Sequence, residues 1–318
     1  MLHGTCGAVP VGVSEAPPSL AIMEVTSTKM EVYGILLACL SAALNATGVN
    51  LQRLGKRRES AAMQLFGVLV GAGCCPICDL ASFTFAPQSM LAPFASLGLV
   101  VNLGLAPIMH GDPIDRLDIA CTGLVIAGVL TCLCSASAAD AEATLTLEEL
   151  MALALRPALR LWSTITATVV GLAAVHMRRG DQHSMLAAAS FAVFSGICGG
   201  LTMLCGKVLT VLGAIGAGGA PFAFVAGCAC VLGISQVASM NAGLGRHSPL
   251  VVVPIFTAAS LTTNAIGGGI LFNEFAAFSR AQWVAYPSGV ALLLSGVVLL
   301  TLKPPALRSS LPPKKRED

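Results

Sequence analysis

The stretch CCPICDLASFTFAPQSMLAPFASLGLVVNLGLAPIM, residues 74–109, decides the fold of this chain. Two apolar runs meet in it, and four prolines, Pro76, Pro87, Pro93 and Pro107, interrupt them. The pattern predicts two membrane-crossing helices joined by a tight turn, because proline removes a backbone donor and bends or breaks a helix. In lipid, such breaks persist only where protein or a water-lined cavity satisfies the freed backbone groups.

Asp79 is the acidic residue that lies well inside an apolar run of this stretch. A carboxylate at the centre of a membrane helix costs about 2.5–3.5 kcal/mol on insertion, so its presence indicates a functional site. A single acid among broken helices is typical of a transporter that binds a cation or a polar solute. The alternative is that Asp79 lies at a helix end in the headgroup region and caps a turn.

The composition of the whole chain indicates a membrane protein. Hydrophobic residues make up 55% of its 318 residues and charged residues 11%, whereas soluble domains carry about 25% charged residues. The 33 glycines suit close helix packing in a bilayer. Most of the 12 cysteines lie in apolar runs, where cysteine acts as a small hydrophobic residue. CPIC at residues 75–78 lacks the second metal-binding pair of a zinc site.

Nine apolar segments are long enough, or nearly so, to cross a hydrocarbon core about 30 Å thick. They are residues 32–52, 61–80, 88–109, 117–137, 161–177, 184–208, 221–243, 249–273 and 282–302. The fold class is therefore all-α and polytopic. Residues 1–30 are expected to form a disordered leader and residues 304–318 a basic disordered tail. An amphipathic surface helix is expected within residues 138–160.

The basic residues predict how the chain is oriented. If the N-terminus lies outside, nine crossings place most of the 18 Lys and Arg residues in the cytosol, among them RLGKRR at residues 53–58. The positive-inside rule then puts the C-terminus in the cytosol. We expect a multi-pass protein of the plasma membrane or an endosomal membrane.

Two parts of the chain have similar patterns. Pro93 in the first part corresponds to Pro254 in the second, Asn102 falls near Asn264, and Asp79 lies opposite residues 236–241. We divide the chain into a first helical repeat at 31–137, a connector region at 138–183 and a second repeat at 184–303. Four helices, one connector helix and four helices make an inverted repeat, with the binding site expected between the halves.

Four stretches of the chain resemble the NIPA family of magnesium transporters, a branch of the drug/metabolite transporter superfamily. They are GVNLQRLGKRR at 48–58, DLASFTFAPQSMLAP at 79–93, QVASMNAGLGRHSPLVVVP at 236–254 and LFNEFAAFS with PSG at 271–289. The likeness covers residues 32–302 and implies nine helices and Mg²⁺ transport. At residues 76–78, where the family carries a Gly-Glu pair, this chain has no acid, and Asp79 stands in the place of the family's Asn.

The expected metal site combines the carboxylate of Asp79 with the amide oxygens of Asn102, Asn241 and Asn264. Mg²⁺ takes about six oxygen ligands at roughly 2.0–2.1 Å and retains several waters, so one carboxylate suffices. Weaker candidates for the transport path are Asn45, Asn50, Gln236 and Glu274, the last as a vestibule residue at a helix end. For each Asn the alternative is a bond between helices, worth about 0.6 kcal/mol.

No arrangement of residues indicates an enzyme. GAIGAGGA at residues 213–220 lacks the Lys and the preceding strand of a phosphate-binding loop, so ATP-driven pumping is not expected. We expect no cofactor and no nucleic-acid partner. The expected partners are the lipid bilayer and Mg²⁺ as transported substrate, with other divalent cations and a homo-oligomer left open. The alternatives are a drug/metabolite-type transporter of a small organic solute and a non-transporting membrane adaptor.

Overall fold

The computed structural model describes residues 18–110, 114–136, 146–181, 184–247 and 249–301. Within these ranges the regular structure is helical, without a strand. They include nine helical segments that are long and apolar enough to cross a membrane, which confirms the predicted all-α polytopic class. The spans are Met30–Gln52, Ala61–Phe83, Gln88–Leu105, Arg116–Ser135, Pro157–Arg179, Met185–Ala214, Ala220–Leu244, Val251–Leu271 and Arg280–Leu299.

Twelve α-helices build these spans and their connections. They are α1 (Pro18–Arg57), α2 (Ala61–Val68), α3 (Cys75–Phe83), α4 (Gln88–Leu91), α5 (Leu97–His110), α6 (Arg116–Ser135), α7 (Leu147–Ala154), α8 (Pro157–Arg179), α9 (Met185–Ala214), α10 (Ala220–Arg246), α11 (Pro249–Leu271) and α12 (Arg280–Thr301). A 3₁₀ segment, Glu274–Ala277, lies between α11 and α12.

The second and third spans are irregular where their prolines fall. A π-helical segment, Leu69–Cys74, joins α2 to α3 and ends just before Pro76. Pro76 cannot donate to the preceding turn, and a local widening of the helix accommodates this loss. A 3₁₀ segment, Ala92–Ser96, joins α4 to α5 and contains Pro93. The two spans meet at a short turn, residues 84–87, as predicted.

The ends of the chain differ from the expectation in one respect. Helix α1 begins at Pro18, so residues 18–30, which we assigned to a disordered leader, are helical. Proline suits the first turn of a helix, and no glycine or proline interrupts the residues that follow it up to Tyr33. Residues 1–17 and the tail at 304–318 lie outside the described residues. Helix α7 falls within residues 138–160 and begins with a capping box between Thr146 and Glu149.

Helix packing forms three groups. Helix α9 packs along α10 and α11 and also contacts α8, α6 packs along α12, and α1 contacts α2, α3 and α5. Glycine allows the closest approach between α6 and α12, because a Cβ at Gly128 would lie 2.6 Å from the backbone nitrogen of Leu293. Close contact through small residues is how membrane helices associate. The inverted relation between the two halves stays a prediction.

Replacing Gly128 with alanine should lower the thermal unfolding temperature in detergent, because overpacking a close helix contact costs about 1–3 kcal/mol. The matched control is Gly123→Ala on the same helix, where nothing lies within 4 Å of an added Cβ. Thermal unfolding followed by size-exclusion chromatography measures both. Equal unfolding temperatures for the two variants would contradict the close packing of α6 on α12.

Candidate cation site

A cavity of about 80 Å³ lies where the second and third spans meet α1, α9 and α11. Apolar side chains such as Phe83 and Phe94 form much of its wall. Its polar wall consists of Ser41, Asn45, Cys75, Asp79, Ser82 and Asn264. The cavity can hold several water molecules, since one needs about 10–15 Å³ of such space.

Asp79 is the carboxylate of this cavity. It lies within α3, one turn before the last residue of that helix, Phe83, and is half-buried. The thiol of Cys75 donates to its Oδ2 at 3.6 Å, and the Cys75 sulfur lies 3.0 Å from the hydroxyl of Ser41 on α1. Asp79 therefore lines a polar cavity between helices and does not cap the turn at residues 84–87.

Two of the predicted asparagines reach the same cavity. Asn264 is buried on α11, and its Oδ1 accepts a hydrogen bond from the Nε2 of Gln88. Asn45 on α1 lines the cavity with an exposed side chain. The structure thus brings Asp79, Asn264 and Asn45 together, although they come from three helices far apart in the sequence.

Asn50 and Asn102 form a bond between helices instead. The Nδ2 of Asn50 on α1 donates to Oδ1 of Asn102 on α5 at 2.6 Å and to the carbonyl of Ala46 at 2.8 Å. Neither residue lines the cavity. Their arrangement is the one that we gave as the alternative for each asparagine, and it ties α1 to α5.

Asn241 and Gln236 lie on α10, away from the cavity. Asn241 is exposed, and Gln236 packs against α9, where a Cβ at Gly199 would lie 3.1 Å from its Cδ. Helix α10 packs mainly on α9 and is the least buried span. The sequence comparison placed residues 236–241 opposite Asp79, but packing keeps α10 behind α9.

Glu274, which we expected in a vestibule, is buried and binds the start of α4, directly after the turn between the second and third spans. Its Oε1 accepts from the backbone nitrogen of Gln88 at 2.9 Å and its Oε2 from that of Ser89 at 2.7 Å. Asn273, with a φ of 58°, turns the chain after α11, a conformation that asparagine tolerates better than most residues. That reversal brings the carboxylate of Glu274 to the start of α4.

Lys207 on α9 binds the end of α3 and the turn that follows it. It is 2% exposed, and its Nζ donates to the carbonyl oxygens of Phe83 at 2.7 Å and Ala86 at 3.0 Å. The hydroxyl of Tyr286 on α12 adds a bond to the carbonyl of Ser89 at 3.0 Å. Sequence reasoning assigned no place in the site to Lys207, Gln88 or Tyr286. Lys207 could have been identified from the sequence, because it is a lysine inside an apolar span.

The cavity offers one carboxylate and several neutral oxygen donors. In the part of the chain that the structure describes, no group of three or more His, Cys, Asp or Glu side chains could hold a metal ion. A single carboxylate with amide and hydroxyl oxygens suits a cation that keeps part of its water shell, as Mg²⁺ does.

The described ranges hold nine candidate spans, and a small cavity with one carboxylate lies among five of them, an arrangement typical of polytopic membrane transporters. The family profile described as "Magnesium transporter NIPA" matches residues 29–304, so the chain belongs to the NIPA family of magnesium transporters. Curated relatives from Arabidopsis thaliana include "Probable magnesium transporter NIPA2", 23% identical over 70% of this chain and 67% of its own length. "Probable magnesium transporter NIPA5" is 25% identical over 70% of this chain and 58% of its own length. No solved structure matches the chain significantly.

The cavity predicts different outcomes for two asparagines. Asn264→Leu removes an oxygen donor from the wall beside Asp79 and should raise the KM of Mg²⁺ uptake about tenfold, the effect of losing substrate binding. Asn102→Leu removes a bond between helices and should leave KM unchanged, with a loss of stability of about 0.6 kcal/mol. Uptake assays in cells, with protein levels matched, measure both. An equal rise in KM for the two variants would contradict this placement of the site.

Proposed function

We propose that this protein transports Mg²⁺ along the membrane potential, without ATP, through the cavity that Asp79 lines. The observation that carries the proposal is one cavity containing a carboxylate together with the oxygen donors of Asn264, Asn45 and Ser41. Membership of the magnesium transporter family supports the choice of ion. The transported Mg²⁺ is the substrate, and the proposed mechanism uses no cofactor and no enzymatic step.

The chemistry of the cavity suits a hard cation that enters partly hydrated. Mg²⁺ dehydrates reluctantly and binds through one or two carboxylates plus waters. Asp79 would supply the charge, Asn264 and Asn45 would supply neutral oxygens, and waters would complete the shell. With a negative cytosol, a divalent ion gains about 4.6 kcal/mol per 100 mV on moving inward, twice the value for one charge. That gain makes uptake favourable without a chemical fuel.

Softer divalent cations are a second class of substrate, favoured by one contact. The thiol of Cys75 lies 3.6 Å from Oδ2 of Asp79 and faces the same cavity. Sulfur is a ligand that Zn²⁺ and Co²⁺ accept far better than Mg²⁺ does. We therefore propose that such ions compete with Mg²⁺ for this site.

The size of the cavity argues against the organic-solute alternative. Pockets that bind small organic molecules have volumes of about 300–1,000 Å³, whereas this cavity has about 80 Å³. A partly hydrated ion fits the smaller space.

The proposed orientation keeps the N-terminus outside and the C-terminus in the cytosol, in the plasma membrane or an endosomal membrane, because that arrangement satisfies the positive-inside rule.

Flux in proteoliposomes with an imposed potential tests the proposed function. We expect Mg²⁺ uptake that rises as the interior is made more negative, since the potential acts on the two charges of the ion. Zn²⁺ and Co²⁺ should inhibit this uptake, and neutral organic solutes should neither enter nor compete. Uptake of an organic solute without Mg²⁺ uptake would contradict the proposal.

Asp79→Asn should abolish Mg²⁺-dependent growth of a host that lacks its own magnesium uptake, because the cavity loses its negative charge. The matched control is Glu148→Gln, which removes an exposed carboxylate on α7, away from the cavity. Membrane expression and thermal unfolding temperature are compared for both. Normal growth with Asp79→Asn would show that the cation site does not depend on Asp79.

A further inference from the structure

The turn at residues 84–87 leaves buried backbone groups without helical partners. Pro87 stands four positions after Phe83 and has no N–H, so the carbonyl of Phe83 loses its α-helical bond. The N–H groups of Gln88 and Ser89 begin α4 and have no carbonyl one turn earlier in that helix. Gln88 and Ser89 are both 0% exposed, so water does not reach these groups.

Two buried charged side chains from the second half of the chain satisfy those groups. Lys207 donates to the carbonyls of Phe83 and Ala86, and Glu274 accepts from the N–H groups of Gln88 and Ser89. Their exposed fractions are 2% and 3%. Lys and Glu are almost never this buried unless they are paired or hydrogen-bonded. Lys207 thus binds the end of α3 and the turn, and Glu274 binds the start of α4 directly after the turn.

The turn connects the two walls of the cavity. Asp79 lies one helical turn before Phe83 on α3, and Asn264 accepts from the side chain of Gln88, the first residue of α4. Neither Lys207 nor Glu274 lines the cavity. The hydrogen bonds described for these two residues therefore reach the cavity through the turn and its flanking residues and not by direct contact with a bound ion.

We infer that Lys207 and Glu274 are positioning residues of the transport site: they fix the turn at residues 84–87 and so set the separation of Asp79 from Asn264. The inference rests on the proposed function, since it assigns a role at the same cavity. In this role the ammonium group of Lys207 binds backbone carbonyls, and the carboxylate of Glu274 binds backbone N–H groups. Asp79 is then the charge that faces the ion.

Lys207→Met gives a test, because two explanations predict changes of KM for Mg²⁺ in opposite directions. Charge alone would predict a lower KM for Mg²⁺, because a positive charge near a cation site is removed. A positioning role predicts a KM about tenfold higher with kcat changed less, because the ligands lose their geometry. Lys207→Arg keeps the positive charge and N–H donors, although a planar guanidinium does not reproduce the ammonium geometry, and should raise KM less than Lys207→Met does.

The assay is potential-driven Mg²⁺ uptake by the full chain in proteoliposomes, with thermal unfolding measured in parallel. Ser190→Ala is the matched control, since it removes a buried hydroxyl on the same helix that bonds only within that helix, to the carbonyl of Leu186. An unchanged or lower KM in folded Lys207→Met overturns the inference. If that variant does not fold, Glu274→Gln and Tyr286→Phe decide it, since both weaken bonds to the start of α4 that follows the turn. A raised KM supports the inference, and an unchanged KM in both overturns it.

The two proposals fail differently. Absence of Mg²⁺ uptake by the unmodified protein contradicts the proposed function, and the same KM comparison is then made with the ion that the unmodified protein transports. Uptake by the unmodified protein with unchanged KM in the folded variants contradicts the positioning role alone.

Discussion

Buried backbone groups around one turn, which must find hydrogen-bond partners without water, are the constraint on which this structure depends. The turn joins the second and third spans. Lys207 binds carbonyl groups of the end of α3 and of the turn, and Glu274 binds N–H groups at the start of α4. Inside a membrane protein, an unsatisfied backbone group costs several kcal/mol. Side chains from the second half of the chain therefore supply hydrogen bonds that backbone groups of the first half lack. The cavity lies beside these contacts.

The same constraint explains why the polar residues of this protein have different roles. Asp79 lines the cavity, whereas the carboxylate of Glu274 accepts hydrogen bonds from backbone N–H groups. The asparagines divide in the same way, because Asn264 lines the cavity and Asn50 bonds to Asn102 between helices. Polar side chains inside a membrane are both ligands and connectors between helices, and only their neighbours distinguish the two uses.

The irregular helices give the cavity its shape. A π-helical segment precedes α3, and a 3₁₀ segment follows α4, so neither span is a straight rod near Asp79. Each departure lies next to a proline, which removes a backbone bond and changes the direction of the helix. Between them, Phe83 and Leu91 form apolar walls, and a small space remains beside the carboxylate of Asp79.

The sequence by itself determined the nine candidate spans and the turn at residues 84–87, and it singled out Asp79 as a candidate site residue, because hydropathy, proline and an acid in an apolar run act locally along the chain. It did not determine which asparagines join Asp79, or that Glu274 is buried. Those outcomes depend on which helix faces are in contact, and α10 packs behind α9 while α11 faces the cavity. Only the tertiary structure decided them, since residues on different helices become neighbours through packing and not through their positions in the sequence.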